Sequence, residues 1–444
     1  MEFAKNHKNH YNLGMKYITI AEIPKYLSQE VLIKGWVFNF RSSGKIYFLQ
    51  LRDGSGRLQA VVSEKDVSKE TWQACQKLTM ESSVEVAGKV YEEKRSAFGY
   101  EMQVKELKIV QLAEEYPIAK KEHGVDFLLD YRHLWIRSER QVAILRIRDE
   151  VIWCMREFFR QKGFVMTDTP ILTPTSCEGT TTLFSTKYFD DKAYLAQSGQ
   201  LYLEALAMAL GKVYDFGPTF RSEKSKTRRH LTEFWMLDAE MAFAEFEDMV
   251  KLQEELISYV VQEVLKNKSQ ELKTLGRDTK KLEKVKPPFL RMTYSEAVRK
   301  LKKLGSDIKE GDDLGGDDET LLTKDLDKPI FITHYPVKAK AFYMQPDPKD
   351  SGLALCADLL APEGYGEIIG GSQRIHDLKL LGKRLKEFKL PKKDYEWYLD
   401  LRRYGSVPHS GFGLGLERLI AWICGLDHVR ETIPFPRLLN RLRP

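Results

Sequence analysis

The segment "FRSEKSKTRRHLTEFWMLD", Phe220 to Asp238, crowds cationic, anionic and aromatic side chains together. If Phe220 to Glu223 is extended, side chains alternate, so Arg221 and Glu223 share one face while Phe220 and Ser222 share the other. A guanidinium fork and a carboxylate on one face can bind a phosphate and orient the group that reacts with it. Lys224 to Arg229 then reads as a mobile basic loop suited to a polyanion that comes and goes. Beyond it, Phe234, Met236 and Asp238 fall on one face of a returning strand. The ring can stack on a purine and the carboxylate can meet an ammonium or an amide. The pattern predicts a hairpin that holds a nucleotide and an amino acid side by side. Standing alone, it would suit an exposed hairpin laced by ion pairs.

A second stretch removes that isolation. In "GFGLGLERLIAWICGL", Gly411, Gly413 and Gly415 at alternate positions leave one strand face bare, so a flat ligand can lie against backbone. Glu417 and Arg418 open the helix that follows, where Arg418 can reach a ligand's phosphates or ring.

The elements that must position these groups can be read around them. Ile144, Ile147, Val151, Ile152, Met155, Phe158 and Phe159 recur at helical spacing, and Gly163 in "QKGF" is a natural stop. "VMTDTPILTP" follows as a strand interrupted by Pro170. From there to Pro444, strand-like runs alternate irregularly with helices, without the Gly-rich phosphate loop of a Rossmann or P-loop unit. That predicts an α+β domain with an antiparallel sheet. "EVLKNKSQELKTLGRDTKKLEKVKPP" and the acidic "GSDIKEGDDLGGDDET" read as peripheral. Ahead of all this, Ile18 to Leu112 is β-rich. It carries five short strands, a "DGSG" turn and one helix, "SKETWQACQKLTM", which is the plan of an OB-type barrel. The expected organisation is a polar leader over 1–14 that need not be native, a barrel over 15–113, a linker over 114–135 and the α+β domain over 136–444.

Composition sets the bounds. Apolar residues at 43% and charged ones at 30% fit folded domains with sizeable cores rather than wholesale disorder. A net charge of +6 is compatible with a nucleic-acid partner without demonstrating one. No apolar run approaches bilayer-spanning length, so no membrane association is expected. Five scattered cysteines form no metal spacing and fit a reducing cytoplasm.

Together, "FRSE…RRHLTEF" and "GFGLGLER" resemble motifs 2 and 3 of class II aminoacyl-tRNA synthetases. "GFVMTDTPIL" resembles their dimer-forming motif 1, which implies a homodimer. An OB-type barrel ahead of the catalytic domain resembles subclass IIb: the aspartyl, asparaginyl and lysyl enzymes. "LLDYRHLWIRS", "AQSGQLYLEAL", "KAFYM" and "APEGYGEIIGGSQR" are most similar to the archaeal and bacterial asparaginyl type. The resemblance implies ATP-dependent activation of asparagine and its transfer to tRNA in the cytoplasm. Leu203 stands where aspartyl enzymes place a lysine, which favours a neutral amide. Asp238, where asparaginyl enzymes carry glutamate, and "RIH" at Arg374 to His376 are closer to the aspartyl type. An aspartyl enzyme, one serving both tRNAs, an asparagine-forming relative and an inactive paralogue therefore remain as alternatives here.

By the same resemblance, Arg221, Glu223, Arg229, His230, Leu231, Phe234, Gly415 and Arg418 are expected around ATP, with Arg221, Glu223 and Arg418 catalytic. Glu178, Ser198, Gln200, Arg221, Asp238 and Arg374 are expected around the amino acid. Asp358 and Glu367 would hold Mg²⁺, with Glu367 also lining the ATP site, and oxygen-only ligation suits that ion. Arg41, Phe48 and Gln59 would read the anticodon by stacking and hydrogen bonding.

Overall fold

A computed structural model describes residues 15–96, 98–118, 121–177 and 182–444 of the chain, in two compact units divided between Gly124 and Val125. The first unit contains β1 (Glu30–Ser43), β2 (Ile46–Arg52), β3 (Arg57–Ser63), α1 (Lys69–Lys77), β4 (Ser83–Glu92) and β5 (Tyr100–Gln111). β1 pairs with both β2 and β4, and β3 runs parallel to β5, so the sheet closes into an OB-fold barrel. Strict alternation in "RLQAVVS" sends Leu58, Ala60 and Val62 into its core. The predicted "DGSG" turn is fixed by Asp53, whose Oδ1 accepts from the Ser55 and Gly56 amides at 2.8 and 3.1 Å.

The second unit is built on an eight-stranded sheet. Its elements, in chain order, are α2 (Glu139–Gln161), β6 (Val165–Met166), α3 (Gln200–Leu210), β7 (Lys212–Phe220), β8 (Glu233–Ala242) and α4 (Phe246–Asn267). They continue with β9 (Leu290–Thr293), α5 (Gly316–Thr323), β10 (Ile330–Thr333), β11 (Cys356–Ala361), β12 (Gly366–Gln373), β13 (His409–Gly415) and α6 (Leu416–Cys424). The strand order is β9-β10-β11-β12-β13-β8-β7-β6. The six central strands are antiparallel and the two edge pairings are parallel. α2 presents Ile144, Ile147, Val151, Met155, Phe158 and Phe159 to the core that α4 and the sheet complete. It ends at Gln161, and Gly163 takes the left-handed conformation beyond it (φ 77°).

Three local readings change. β7 stops at Phe220, because past the Arg221 amide, which reaches the Thr232 carbonyl at 3.0 Å, the Thr232 amide turns to the Arg437 carbonyl at 2.9 Å. Arg221 and Glu223 therefore leave the strand and owe their placement to a loop rather than to alternation. The segment after α4 is not peripheral: Leu272, Leu282 and Val285 are buried, and Arg277 grips Glu363 with two bonds of 2.6 and 3.0 Å. The acidic segment holds α5, whose Glu319 faces the cleft described below.

One buried ion pair locks α2 to the base of α6. Arg148 donates to Glu417 Oε1 at 2.8 Å and to the Thr432 carbonyl at 3.1 Å, while Glu417 Oε2 accepts the Trp235 amide at 3.0 Å. Burial pushes the Glu417 carboxyl upward, with Arg148 opposing it. Arg148→Ala should cost about 3–5 kcal/mol in urea unfolding, because it leaves a buried carboxylate unpaired. Arg148→Met with Glu417→Gln should recover much of that loss.

Candidate active site

A cleft of about 550 Å³ is lined by β8, β12, β13, the segment following β7, α5 and residues 338–344. Its floor is set by register. Asp358, Gly370, Gly413, Asp238 and Asp215 stand opposite one another in a single row across five strands. Residues paired across strands project from the same face, so carboxylates flank a stretch of bare backbone. Phe234 and Met236 continue the face along β8, with Gly415 opposite Met236. The three glycines in "GFGLG" are not interchangeable. A Cβ on Gly411 would lie 2.2 Å from Glu240 Cδ and 2.3 Å from the Ala239 carbonyl; on Gly413 it would lie 2.7 Å from Asp238 Oδ1. On Gly415 the nearest atom would be Arg418 Cδ at 3.8 Å.

One end of the cleft gathers cations and carboxylates. Arg418 donates to Glu367 Oε2 at 2.8 Å and to its carbonyl at 3.1 Å. Lys340 reaches Asp358 Oδ2 at 2.7 Å and Asp313 at 3.0 Å, and lies 3.8 Å from the Tyr335 ring centroid. Burial alone would raise Glu367, but Arg418, Lys340 and Arg221 more than offset it and hold this carboxyl below its usual range. Burial pushes Asp358 up to about 6 and Glu319 up to about 7, in each case helped by repulsion from Glu367. The remaining oxygens, Glu367 Oε1 and Asp358 Oδ1, lie 2.8 and 3.6 Å from the position a Gly370 Cβ would take. Glu223 Oε1 and Ser222 Oγ are buried with no hydrogen-bond partner among the described residues. His230 Nδ1 pairs with Thr227 Oγ1, and burial lowers its pKa, with Arg418 adding to the effect. Leu231 is buried against the same wall.

The basic loop is anchored at its far end. Arg229 donates to Glu319 Oε2, Thr320 Oγ1 and the Gly364 carbonyl, each at 2.6 Å, and Arg228 reaches the same carbonyl at 3.0 Å. Lys224, Lys226, Thr227 and Arg228 are the exposed part.

The opposite end is built for a polar ligand of small size. Asp238 Oδ2 accepts from Ser198 Oγ and the Gly199 amide, both at 2.8 Å. Two residues farther along β8, Glu240 receives the Nε of Arg374 at 3.0 Å and its terminal nitrogen; the other terminal nitrogen reaches Ser372 Oγ at 2.8 Å. Beneath lie Glu204, Arg402 and His409, with Arg402 on Glu204 at 2.6 Å and His409 on it at 3.0 Å. Burial would raise Glu204, but Arg402 and His409 reverse this and hold it ionised. Gln200 caps the cluster through Glu204 at 3.2 Å.

The structure thus brings Arg221, Glu223, Arg229, His230, Leu231, Phe234, Asp358, Glu367, Gly415 and Arg418 to one side of a single cleft, and Ser198, Gln200, Asp238 and Arg374 to the other. Glu178 lies outside the described residues. Leu203 is in a small core with Ala207 and Val213 and does not line the cleft, so the residue facing Arg374 is Glu240. Sequence reasoning missed Glu240, Lys340 and Glu319. Glu240 was legible as the next same-face position after Asp238, and Lys340 stands in "KAFYM". Nothing in the acidic segment singled out Glu319. In the barrel, Arg41 and Phe48 are cross-strand partners with the guanidinium 4.7 Å from the ring centroid. Gln59 lies on the same face and donates to Glu101 at 2.8 Å.

Comparisons with known proteins agree with this architecture. The family described as tRNA synthetases class II (D, K and N) matches residues 124–439, and the OB-fold nucleic acid binding domain matches residues 31–110. An asparagine–tRNA ligase of Symbiobacterium thermophilum is 60% identical over 437 residues, covering 97% of this chain and 100% of that protein. The crystal structure of asparaginyl-tRNA synthetase from Pyrococcus horikoshii complexed with asparaginyl-adenylate superposes with a TM-score of 0.94 at 46% identity, covering 96% of this chain and 99% of that one. An aspartyl-tRNA synthetase from Entamoeba histolytica matches at 31% identity with a TM-score of 0.83, covering 99% and 95%.

The glycine distances set an expectation for the floor. Gly411→Ala should lose about 1–3 kcal/mol by overpacking against Glu240 and the backbone. Gly415→Ala should leave stability within about 0.5 kcal/mol. Parallel thermal melts of the two variants check the contrast.

Proposed function

The chain belongs to the class II tRNA synthetases of the D, K and N group, and on that premise we propose that it activates asparagine with ATP and transfers it to tRNA. The observation that carries this reading is the bare floor between two chemically distinct ends. Phosphate-binding cations stand at one end, and Arg374 with its Glu240 partner stands at the other.

The chemistry follows from that arrangement. Phe234 stacks the adenine, and Arg418 closes over the nucleotide from the first turn of α6. Arg221 meets both the α-phosphate and the amino acid's carboxylate, so the nucleophilic oxygen and the phosphorus are held in line. The carboxylate oxygen attacks, the bond to pyrophosphate breaks, and asparaginyl-adenylate remains. The positive field of Arg221 and Arg418 favours the charge that develops on phosphorus. In the second step a terminal ribose hydroxyl of tRNA attacks the adenylate's carbonyl carbon, and AMP leaves. Glu223, whose buried oxygen has no hydrogen-bond partner among the described residues, supplies an acceptor at the nucleotide.

The donor set fits Mg²⁺. Arg418 and Lys340 each hold one oxygen of Glu367 and Asp358, and the other oxygen of each faces the same bare point beside Gly370. Hard oxygen donors from two carboxylates, completed by phosphate oxygens and water, suit that ion. When bound, it neutralises triphosphate charge.

The amide side chain fits the other end. Arg374 is already charge-balanced by Glu240, and Asp238 adds a second carboxylate. A bound amide can accept from Arg374 and donate to a carboxylate, whereas a bound aspartate would bring a third carboxylate to one arginine. Ser198 and Gln200 fix the wall beside it. Glu178 belongs to the proposal only through its motif. Arg41, Phe48 and Gln59 read the anticodon on the barrel face. Trp153, Val165, Met166, Ile171 and Leu172 leave apolar surface along α2, β6 and the segment that follows, which fits a homodimer. Among the described residues no helix is long and apolar enough to cross a membrane. We place the reaction in the cytoplasm.

Amino-acid-dependent exchange of pyrophosphate into ATP tests the reading. Asparagine should support strong exchange, with aspartate weaker by about 10²-fold or more in kcat/KM. The opposite preference would identify an aspartyl enzyme. Arg221→Ala should lower the exchange rate by about 10²–10³-fold with the fold intact. Phe48→Ala should leave exchange unchanged while raising KM for tRNA in aminoacylation.

A further inference from the structure

The row of residues across the sheet does not end at Asp238. Asp215 of β7 is its direct partner, on the same face and 7% exposed. Between the two carboxylates runs the Ser198–Gly199 corner that leads into α3. On one side Asp238 accepts the Ser198 hydroxyl and the Gly199 amide. On the other, Asp215 Oδ2 accepts the Thr169 hydroxyl. A Cβ on Gly199 would lie 2.0 Å from Asp215 Oδ2 and 2.6 Å from Thr169 Oγ1, so these two oxygens fill the glycine's open side. A second cavity of about 230 Å³, lined by Asp168, Thr169, Gly199 and Asp215, shares Ser198 and Met236 with the main cleft.

We propose that Asp215 is a positioning residue for the amino acid: with Thr169 it wedges the Ser198–Gly199 corner against Asp238, tying the segment around Pro170 to the asparagine end of the cleft. The inference rests on the asparagine-activating reading. The Pro170 segment joins the network again through the Ala196 amide, which donates to the Ile171 carbonyl at 2.8 Å. The charged groups facing Asp215 are Asp238 from β8 and Asp168 from the segment before Pro170, and the Thr169 hydroxyl is its polar contact there. Burial and the Asp238 charge push Asp215 up to about 8. Its carboxyl is therefore neutral at pH 7, and the wedge is made without a second negative charge beside Asp238. Above pH 8 that carboxyl ionises next to Asp238, and the corner is pushed off its partner.

The test is KM for asparagine and KM for ATP in pyrophosphate exchange between pH 6.5 and 9.5. It compares wild type, Asp215→Asn, Asp215→Ala and Thr169→Val, each checked for folding by thermal melting. Free asparagine's own ammonium titrates in this range for every variant, so each variant is compared with wild type at the same pH. Asp215→Asn keeps the shape and a permanently neutral group. It should match the wild-type KM for asparagine within about twofold at pH 7 and escape the further, about tenfold, rise that ionisation causes by pH 9. Asp215→Ala should raise KM for asparagine about tenfold at pH 7 with KM for ATP within about twofold. Thr169→Val, which leaves every charge in place, should move KM for asparagine in the same direction. An Asp215→Asn profile that follows wild type throughout, an unchanged KM in Thr169→Val, or equal rises in both KM values would overturn the inference. Wild-type protein without asparagine-dependent exchange at any pH would instead overturn the reading beneath it, and this inference with it.

Discussion

The cleft depends on a floor that must remain backbone. Gly370, Gly411 and Gly413 occupy the centres of β12 and β13, where adjacent strands in other sheets would carry side chains. Here carboxylates reach into the space that side chains would fill: Glu367 of the same strand over Gly370, and from β8 Glu240 over Gly411 and Asp238 beside Gly413. The glycines therefore do two things at once. Gly415 leaves open space where a flat ligand can approach the sheet, and the other three allow β8 and the start of β12 to aim acidic groups inward without collision. The antiparallel register places these positions in rows, so a one-residue slip would turn every one of those groups to the opposite face.

Carboxylates packed so closely in a half-buried cleft need compensation, and the chain supplies it in pairs. Glu367 has Arg418, Asp358 has Lys340, Glu240 has Arg374, Glu204 has Arg402, and Glu417 has Arg148 beneath the floor. All but Lys340–Asp358 join elements distant in sequence, so the ionic set also closes the domain. Such pairs add little net stability when burial is deep, because desolvation consumes most of the attraction. What they provide is fixed geometry: a guanidinium held by its partner presents its remaining edge in one direction.

Much of this was legible in the sequence, and the failures have physical causes. α2 was readable residue by residue because an amphipathic helix repeats its signal over many turns, and the barrel because its strands alternate and "DGSG" is a specific turn. Phe234, Met236 and Asp238 were placed correctly by strand periodicity alone. Arg221 and Glu223 were not, because the C-terminal segment takes the Thr232 amide and ends the ladder at Phe220, a competition between residues more than two hundred positions apart. Leu203 illustrates a different limit. Motif position put it in the ligand pocket, but helix phase turns it into the core beside Ala207 and Val213 and leaves Glu204, the next residue, to meet Arg402.

The acidic segment is the most instructive case. Its composition is that of a solvated turn, and most of its aspartates are exposed, but Ile308 is buried and Asp313, Leu314 and Glu319 line the cleft. What makes Glu319 part of the cleft is Arg229, ninety residues earlier at the end of the basic loop. The two meet with Thr320 and the Gly364 carbonyl in one knot. A basic loop and an acidic loop, each unremarkable as a charge run, restrain one another when the fold brings them together. Lys340 makes the same connection from the other side through Asp313. The wall over the nucleotide end thus rests on a small apolar core through Ile308 and Leu322, while ion pairs fasten the side that faces the cleft. Polar contacts of this kind can be exchanged for a ligand's phosphates at little net cost, whereas buried apolar packing could not be opened so cheaply.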